Sequence, residues 1–190
     1  MMIQRFLVAG MVVSLGMAGL ASTRVQAQQH SHAEHDLPTL GVAVIKPTKG
    51  NKVRGSLRLV QKGDELKIMG RITNLTPGEH GFHIHEYGDE RGTDGTATGG
   101  HYNPDGHEHG APGPQSHSGD LGNITADAEG VAKVDLSVKG TKLHFVLGRA
   151  FVIHAGKDDL KSQPSGAAGA RVATGVIGIG NPEFKPGKAK

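Results

Sequence analysis

Short runs of alternating apolar and polar residues, separated by glycine-bearing turns, limit this chain to β architecture. Successive side chains on a strand point to opposite faces, so alternation with a period of two builds a half-buried strand. Thr39–Lys46 (TLGVAVIK), Val53–Lys62 (VRGSLRLVQK) and Glu65–Thr73 (ELKIMGRIT) follow that pattern, with Gly50-Asn51 and Gly63-Asp64 as turn signals between them. Gly63-Asp64 fits a tight hairpin. His80–Glu86, Asp120–Ala126, Val131–Val138, Arg149–Ala155 and Arg171–Ile179 supply five more strands. No segment carries a convincing amphipathic helix. The expected fold is all-β: eight antiparallel strands in a Greek-key barrel or sandwich. Aromatic residues make up only 4% of the chain, so Val, Ile and Leu must fill its core.

Two connections are too long for simple turns, Tyr87–Ser118 and Gly156–Ala170. Long loops in a compact domain usually serve function. The first lies within His80–Asp120, which holds seven of the twelve histidines. His83 and His85 sit two apart, so a strand presents both on one face. The loop then carries His101, His107, His109 and His117, followed by Asp120. Imidazole and carboxylate are ligands for copper and zinc, and a strand with its adjoining loop can gather four of them around one ion. A solvated histidine-rich tract would explain the composition. It would not explain the ordered pair on the strand or the single, unrepeated residues around it.

The N-terminus reads as an export signal. Arg5 precedes a 16-residue apolar run, Phe6 to Ala21, and Val25-Gln26-Ala27 ends in a small residue suited to cleavage. The run is short for a spanning helix, which needs about 20 residues. The expected organisation is a signal peptide (1–27), a histidine-rich flexible tail (28–38), the β-domain (39–180) and a basic C-terminal tail (181–190). The processed protein should be exported, to a periplasm or the extracellular space, and free of stable membrane association. Loss of Arg5 and Arg24 lowers the formal charge from +3 to +1. A nearly neutral chain argues against a nucleic-acid partner, which calls for a clustered basic excess. In the tail, His30, His32 and His35 could bind a cation. Cleavage after Ala27 would place His30 third, where a free amine, backbone amides and imidazole together chelate Cu(II).

The segments GFHIHEYGD, GGHYNP, HSGDLGNI, GRAFVIHAGKDDL and GARVATGVIGIG resemble the successive signature segments of the copper/zinc superoxide dismutases. The wording is closest to their exported bacterial branch, and the resemblance covers Thr39 to Gly180. It implies a flattened eight-stranded Greek-key barrel with a long metal-binding loop and a second active-site loop. It also implies an enzyme that disproportionates superoxide to O2 and H2O2 by copper redox cycling, with a zinc-held bridging histidine. Copper would be held by His83, His85, His101 and His154. Zinc would be held by His101, His109, His117 and Asp120, with His101 shared. Asp158 matches the carboxylate that links a copper-side to a zinc-side histidine, and Arg171 matches the arginine that attracts and orients superoxide. Lys157 and Lys161 would add positive potential, or simply be solvated charges. His80, His107 and His144 match no ligand position.

Two departures stand out. Family members tie the metal loop to the last strand with a cysteine pair, whereas this chain has no cysteine. Thr174 occupies one of the two positions, and the partner should fall within Asp89–Ala97. The spacing of His109 and His117 is one residue shorter than the pattern. The competing reading is a non-catalytic exported copper-binding or buffering protein on the same scaffold, which would need neither a bridging His101 nor Arg171. Oligomeric state stays open, a homodimer included.

Overall fold

A computed structural model describes residues 37–185. The signal segment, His30, His32 and His35 of the tail, and Lys188 and Lys190 lie outside the described residues. The eight strands are β1 (Leu40–Pro47), β2 (Arg54–Lys62), β3 (Glu65–Thr73), β4 (Gly78–His85), β5 (Asp120–Ala126), β6 (Ala132–Lys139), β7 (Ala150–His154) and β8 (Arg171–Ile179). Each falls within two residues of its sequence-read position. They close into one antiparallel barrel in the order β1-β2-β3-β6-β5-β4-β7-β8. The jumps from β3 to β6 and from β4 to β7 are the crossovers of a Greek key. A single helical turn, α1 (Leu143–Val146), was not expected. Four residues are too few to show a helical period, and Leu143 and Val146 are buried in the barrel end by tertiary packing.

The barrel interior follows from the alternation. Leu57 and Leu59 of β2, and Leu66, Ile68 and Ile72 of β3, are almost fully buried. Phe82 of β4 and Phe151 of β7 stack at the centre, with ring centroids 5.1 Å apart. Burying a side chain of this size contributes about 1.5–3 kcal/mol, so this pair anchors the two strands that carry His83, His85 and His154.

β4 and β7 depart from half-burial. From His80 to His85 every residue of β4 is buried, and so is all of β7. Phe82 and Ile84 enter the core, while His83 and His85 occupy the opposite face, where the loops cover them. The ladders also break at this end. Register shifts fall between Gly81 and His83 on the β4–β5 side and between Ile153 and His154 on the β7–β8 side. Such breaks bend a strand and re-aim its side chains. The freed edge of β4 is taken by the metal loop: Ile84 N–H donates to Gly119 O, Tyr102 N–H donates to Ile84 O, and His101 bridges to His85. The second loop crosses at Gly81, where a β carbon would stand 2.8 Å from that of Ala168 and 3.1 Å from the His83 ring. Only glycine fits there.

Candidate metal centre

Four histidines meet where β4, β7 and the metal loop converge. His83, His85, His101 and His154 are all buried, and each offers a ring nitrogen within 4.8 Å of the others. One nitrogen of each ring is buried with no hydrogen-bond partner: Nδ1 of His83 and Nε2 of His85, His101 and His154. A buried polar atom left unpaired normally costs about 1–3 kcal/mol. Four of them pointing at one another describe a site built for an ion.

The remaining ring nitrogens decide which atom carries the lone pair. His85 Nδ1 lies 2.9 Å from Gly99 O, and His154 Nδ1 lies 2.9 Å from Gly169 O. A carbonyl only accepts, so both Nδ1 atoms donate and both Nε2 atoms keep free lone pairs. His83 Nε2 donates to Asp158 Oδ2 at 2.7 Å, which leaves Nδ1 as its ligand atom. Burial, reinforced by the neighbouring His101, pushes His83 and His85 down from 6.5 to about 2. Burial pushes His154 down to about 4. All three stay neutral at neutral pH, the state in which imidazole binds metal.

A second group lies on the far side of His101. The Nδ1 atoms of His101, His109 and His117 approach Asp120 Oδ1 at 2.7, 3.0 and 3.3 Å. Ligands about 2.0–2.1 Å from a tetrahedral zinc ion lie roughly 3.3 Å apart, close to these separations. The Asp120 Oδ2 atom is occupied elsewhere, accepting from the N–H groups of Gly110 and His117 at 3.1 Å. Burial alone would raise the Asp120 carboxyl, but the His101 and Gly110 hydrogen bonds outweigh it and hold it at about 2. It is an anion at any working pH. Three imidazoles and a carboxylate suit zinc, and four imidazoles suit copper. The donor sets fit these ions.

Asp158 joins the groups from behind. It is completely buried, with Oδ2 on His83 and Oδ1 3.0 Å from His109 Nε2. Asn123 holds its backbone at both ends, donating to Asp158 O at 2.9 Å and accepting from Asp158 N–H at 2.8 Å. Partners of this kind fix ring orientation and typically govern about 10–100-fold in metal affinity.

An open pocket of about 390 Å³ leads to the four-histidine group, lined by His85, His101, His154, Pro164, Ser165 and Arg171 among others. The Arg171 guanidinium donates to Gly95 O at 2.7 Å, to Thr98 Oγ1 at 3.2 Å and to Gly99 O at 2.8 Å. Its charge is thereby fixed at the pocket wall. Lys157 and Lys161 do not line the pocket; Lys157 pairs with Glu79 at 2.6 Å. His107 Nδ1 donates to Ser116 O at 3.1 Å and joins neither group. The His80 ring spans from Thr76 O to His154 O, 2.8 Å at each end, and so braces a ligand strand. His144 is exposed on α1.

Sequence reading missed Gly95 as the residue facing Thr174. A β carbon on Gly95 would stand 3.0 Å from Thr174 Cγ2, about the spacing of a β carbon and the far sulfur across a disulfide. Around this gap Thr174 Oγ1 donates to Glu90 Oε1 and Lys46 pairs with Glu90 Oε2, both at 3.2 Å. A glycine gives no chemical signal in the sequence, so only the fold reveals the pairing.

The family model for copper/zinc superoxide dismutase (SODC) matches residues 53–177. Superoxide dismutase [Cu-Zn] 2 of Mesembryanthemum crystallinum is 48% identical over 152 residues, covering 73% of this chain and 94% of that protein. Among solved structures, the crystal structure of the clock protein EA4 aligns with a TM-score of 0.68 at 39% identity, covering 75% of this chain and 95% of that one.

Proposed function

The chain belongs to the copper/zinc superoxide dismutase family, and from this we propose which of its residues carry the activity. The enzyme is an oxidoreductase that converts two superoxide ions and two protons to O2 and H2O2. Its copper would be held by His83, His85, His101 and His154, and its zinc by His101, His109, His117 and Asp120. Copper, when bound, would supply the one-electron redox couple that this reaction needs. The shared His101 carries the assignment, since its Nε2 faces the first group while its Nδ1 faces Asp120.

The protein's own part is positioning and proton supply. Arg171 remains charged at any working pH and can pair with a small anion at the pocket wall. His101 Nε2, free of protein partners, is the atom that can take up a proton and hand it to reduced oxygen. Asp158 and the carbonyls of Gly99 and Gly169 keep the other rings in one tautomer throughout. A copper-storage protein has no use for a fixed guanidinium beside an open pocket. Arg171→Ala should retain both metals and lose about 10-fold or more of kcat/KM, with weaker salt dependence. Unchanged kcat/KM in the metal-loaded variant would remove Arg171 from the mechanism.

We further propose that the protein acts after export, in a periplasm or the extracellular space, free of the membrane, as in the exported bacterial branch. The N-terminal run Phe6–Ala21 and its small-residue end support this, and detection of the mature chain beginning at Gln28 would test it. A homodimer is the proposed assembly. Val42 and Val44 of β1 and Ile179 of β8 are 40, 61 and 68% exposed on neighbouring strands. An equilibrium sedimentation mass of one chain would refute it.

A further inference from the structure

Zinc-side His109 is gripped at three points by the second active-site loop. Its ring Nε2 donates to Asp158 Oδ1 at 3.0 Å. Its backbone N–H donates to Gln163 Oε1 at 2.9 Å, and its backbone O accepts from Gln163 Nε2 at 2.9 Å. The Gln163 amide therefore binds His109 as a neighbouring strand would, although 54 residues separate them. No other element of the second loop holds the backbone of a zinc-side residue in this way.

The loop behind Gln163 is a compact lobe. Asp159 N–H donates to Gly166 O, Gly166 N–H donates to Ser162 O, and Leu160 N–H donates to Asp158 Oδ1. Gly166, with a positive φ of 70°, lies so close over Asp158 and His109 that a β carbon there would stand 2.6 Å from His109 Nε2. The lobe is thus seated directly on the link between the two ligand groups. The residues that follow Gln163, Pro164 and Ser165, form part of the rim of the substrate pocket.

We propose that Gln163 is a positioning residue that couples occupancy of the zinc site at His109 to the order of the 159–166 lobe, and hence to the rim of the superoxide pocket. This rests on the reading of His101, His109, His117 and Asp120 as the zinc site. Coupling of this kind is reciprocal: whatever orders the lobe raises affinity at His109, and filling the site at His109 orders the lobe. A glutamine can do this because one amide donates and accepts at once. A glutamate keeps the acceptor for His109 N–H and sets an anion against His109 O. A methionine keeps the volume and loses both hydrogen bonds.

The test uses the full chain in three forms: wild type, Gln163→Met and Gln163→Glu. Zinc affinity is measured by competition with a chromophoric chelator, and site geometry by the visible spectrum of Co(II) bound in place of zinc. Amide hydrogen exchange at Asp159 and Gly166 is followed with and without zinc. In wild type, zinc should slow exchange at both amides. Both variants should keep a tetrahedral Co(II) spectrum, bind zinc about 10-fold more weakly or worse, and lose most of the zinc-induced protection. With both metals saturating, they should also show a raised KM for superoxide with kcat less affected. Wild-type affinity and protection in Gln163→Met would overturn the coupling while leaving the zinc site intact. A wild-type chain that gives no tetrahedral Co(II) spectrum would instead overturn the zinc assignment, and the proposal with it.

Discussion

His83, His85 and His154 are neutral because burial makes their charged forms costly, and that cost appears as a pH dependence of the metal-free protein. Their folded values lie near 2, 2 and 4, against 6.5 for exposed imidazole. Between those limits the unfolded chain binds more protons than the folded one, so stability falls as pH falls. The loss begins below about 6.5. For His154 it is complete near pH 4; for the strand pair it continues toward pH 2. Above about 6.5 the three contribute no slope. Thermal melts of the metal-free protein at constant ionic strength should show Tm declining from pH 7 to pH 4.5; a flat profile would contradict the buried, neutral state of these rings. The His83/His85 pair and the histidine-bearing loop ending at Asp120 were legible in the sequence, because distinctive side chains stand at a spacing that a strand or loop can bring together. His154 and the division into two sets came only from the family resemblance. Gln163 and Asn123 were not legible. They act on backbone groups of distant residues, and no local pattern reports a contact across 54 or 35 positions.

Among the elements, the metal loop and β8 show what holds the fold without a disulfide. The Lys46–Glu90 pair lies at the surface, with the Lys46 side chain 64% exposed, and only its link to Thr174 reaches a buried residue. Such a pair contributes about 1 kcal/mol or less, against roughly 2–5 kcal/mol for a native disulfide in a small domain. The stronger ties are the three hydrogen bonds from Arg171 to Gly95, Thr98 and Gly99. The loop is therefore fastened through the same guanidinium that lines the pocket. Introducing Gly95→Cys and Thr174→Cys together should form a disulfide under oxidising conditions. Its gain of about 2–4 kcal/mol is reduced by about 1–2 kcal/mol, because Gly95 has a φ of 78° that a cysteine adopts with strain. A rise of a few degrees in the metal-free Tm is expected, reversed by reductant. No rise, with the bond shown to form, would mean that this junction is already fixed. α1 illustrates the opposite limit of sequence reading: one turn packed by Leu143 and Val146 owes its existence to the barrel end, not to its own four residues.

In the whole molecule, core and metal sites are one construction. Alternation and turn signals together were enough to place eight strands, although β7 and most of β4 are buried on both faces and do not alternate. Closure into a barrel, with β4 between β5 and β7, was not readable from alternation, because it depends on pairings such as Phe82 with Ile153 that link distant segments. With partnerless nitrogens buried at the junction of both long loops, metal binding should contribute a larger share of stability here. Chelation should lower Tm by about 10 °C or more, since occupancy far above Kd is worth several kcal/mol. A metal-free form melting within a few degrees of the loaded one would contradict that share.

Metal content and superoxide consumption, measured on the same preparation loaded with Cu and Zn, bear most directly on a pair of sites joined by His101. One copper and one zinc per chain are expected, with kcat/KM near the diffusional range of about 10⁸–10⁹ M⁻¹s⁻¹. A single metal per chain, or turnover no faster than the same amount of free copper, would contradict it.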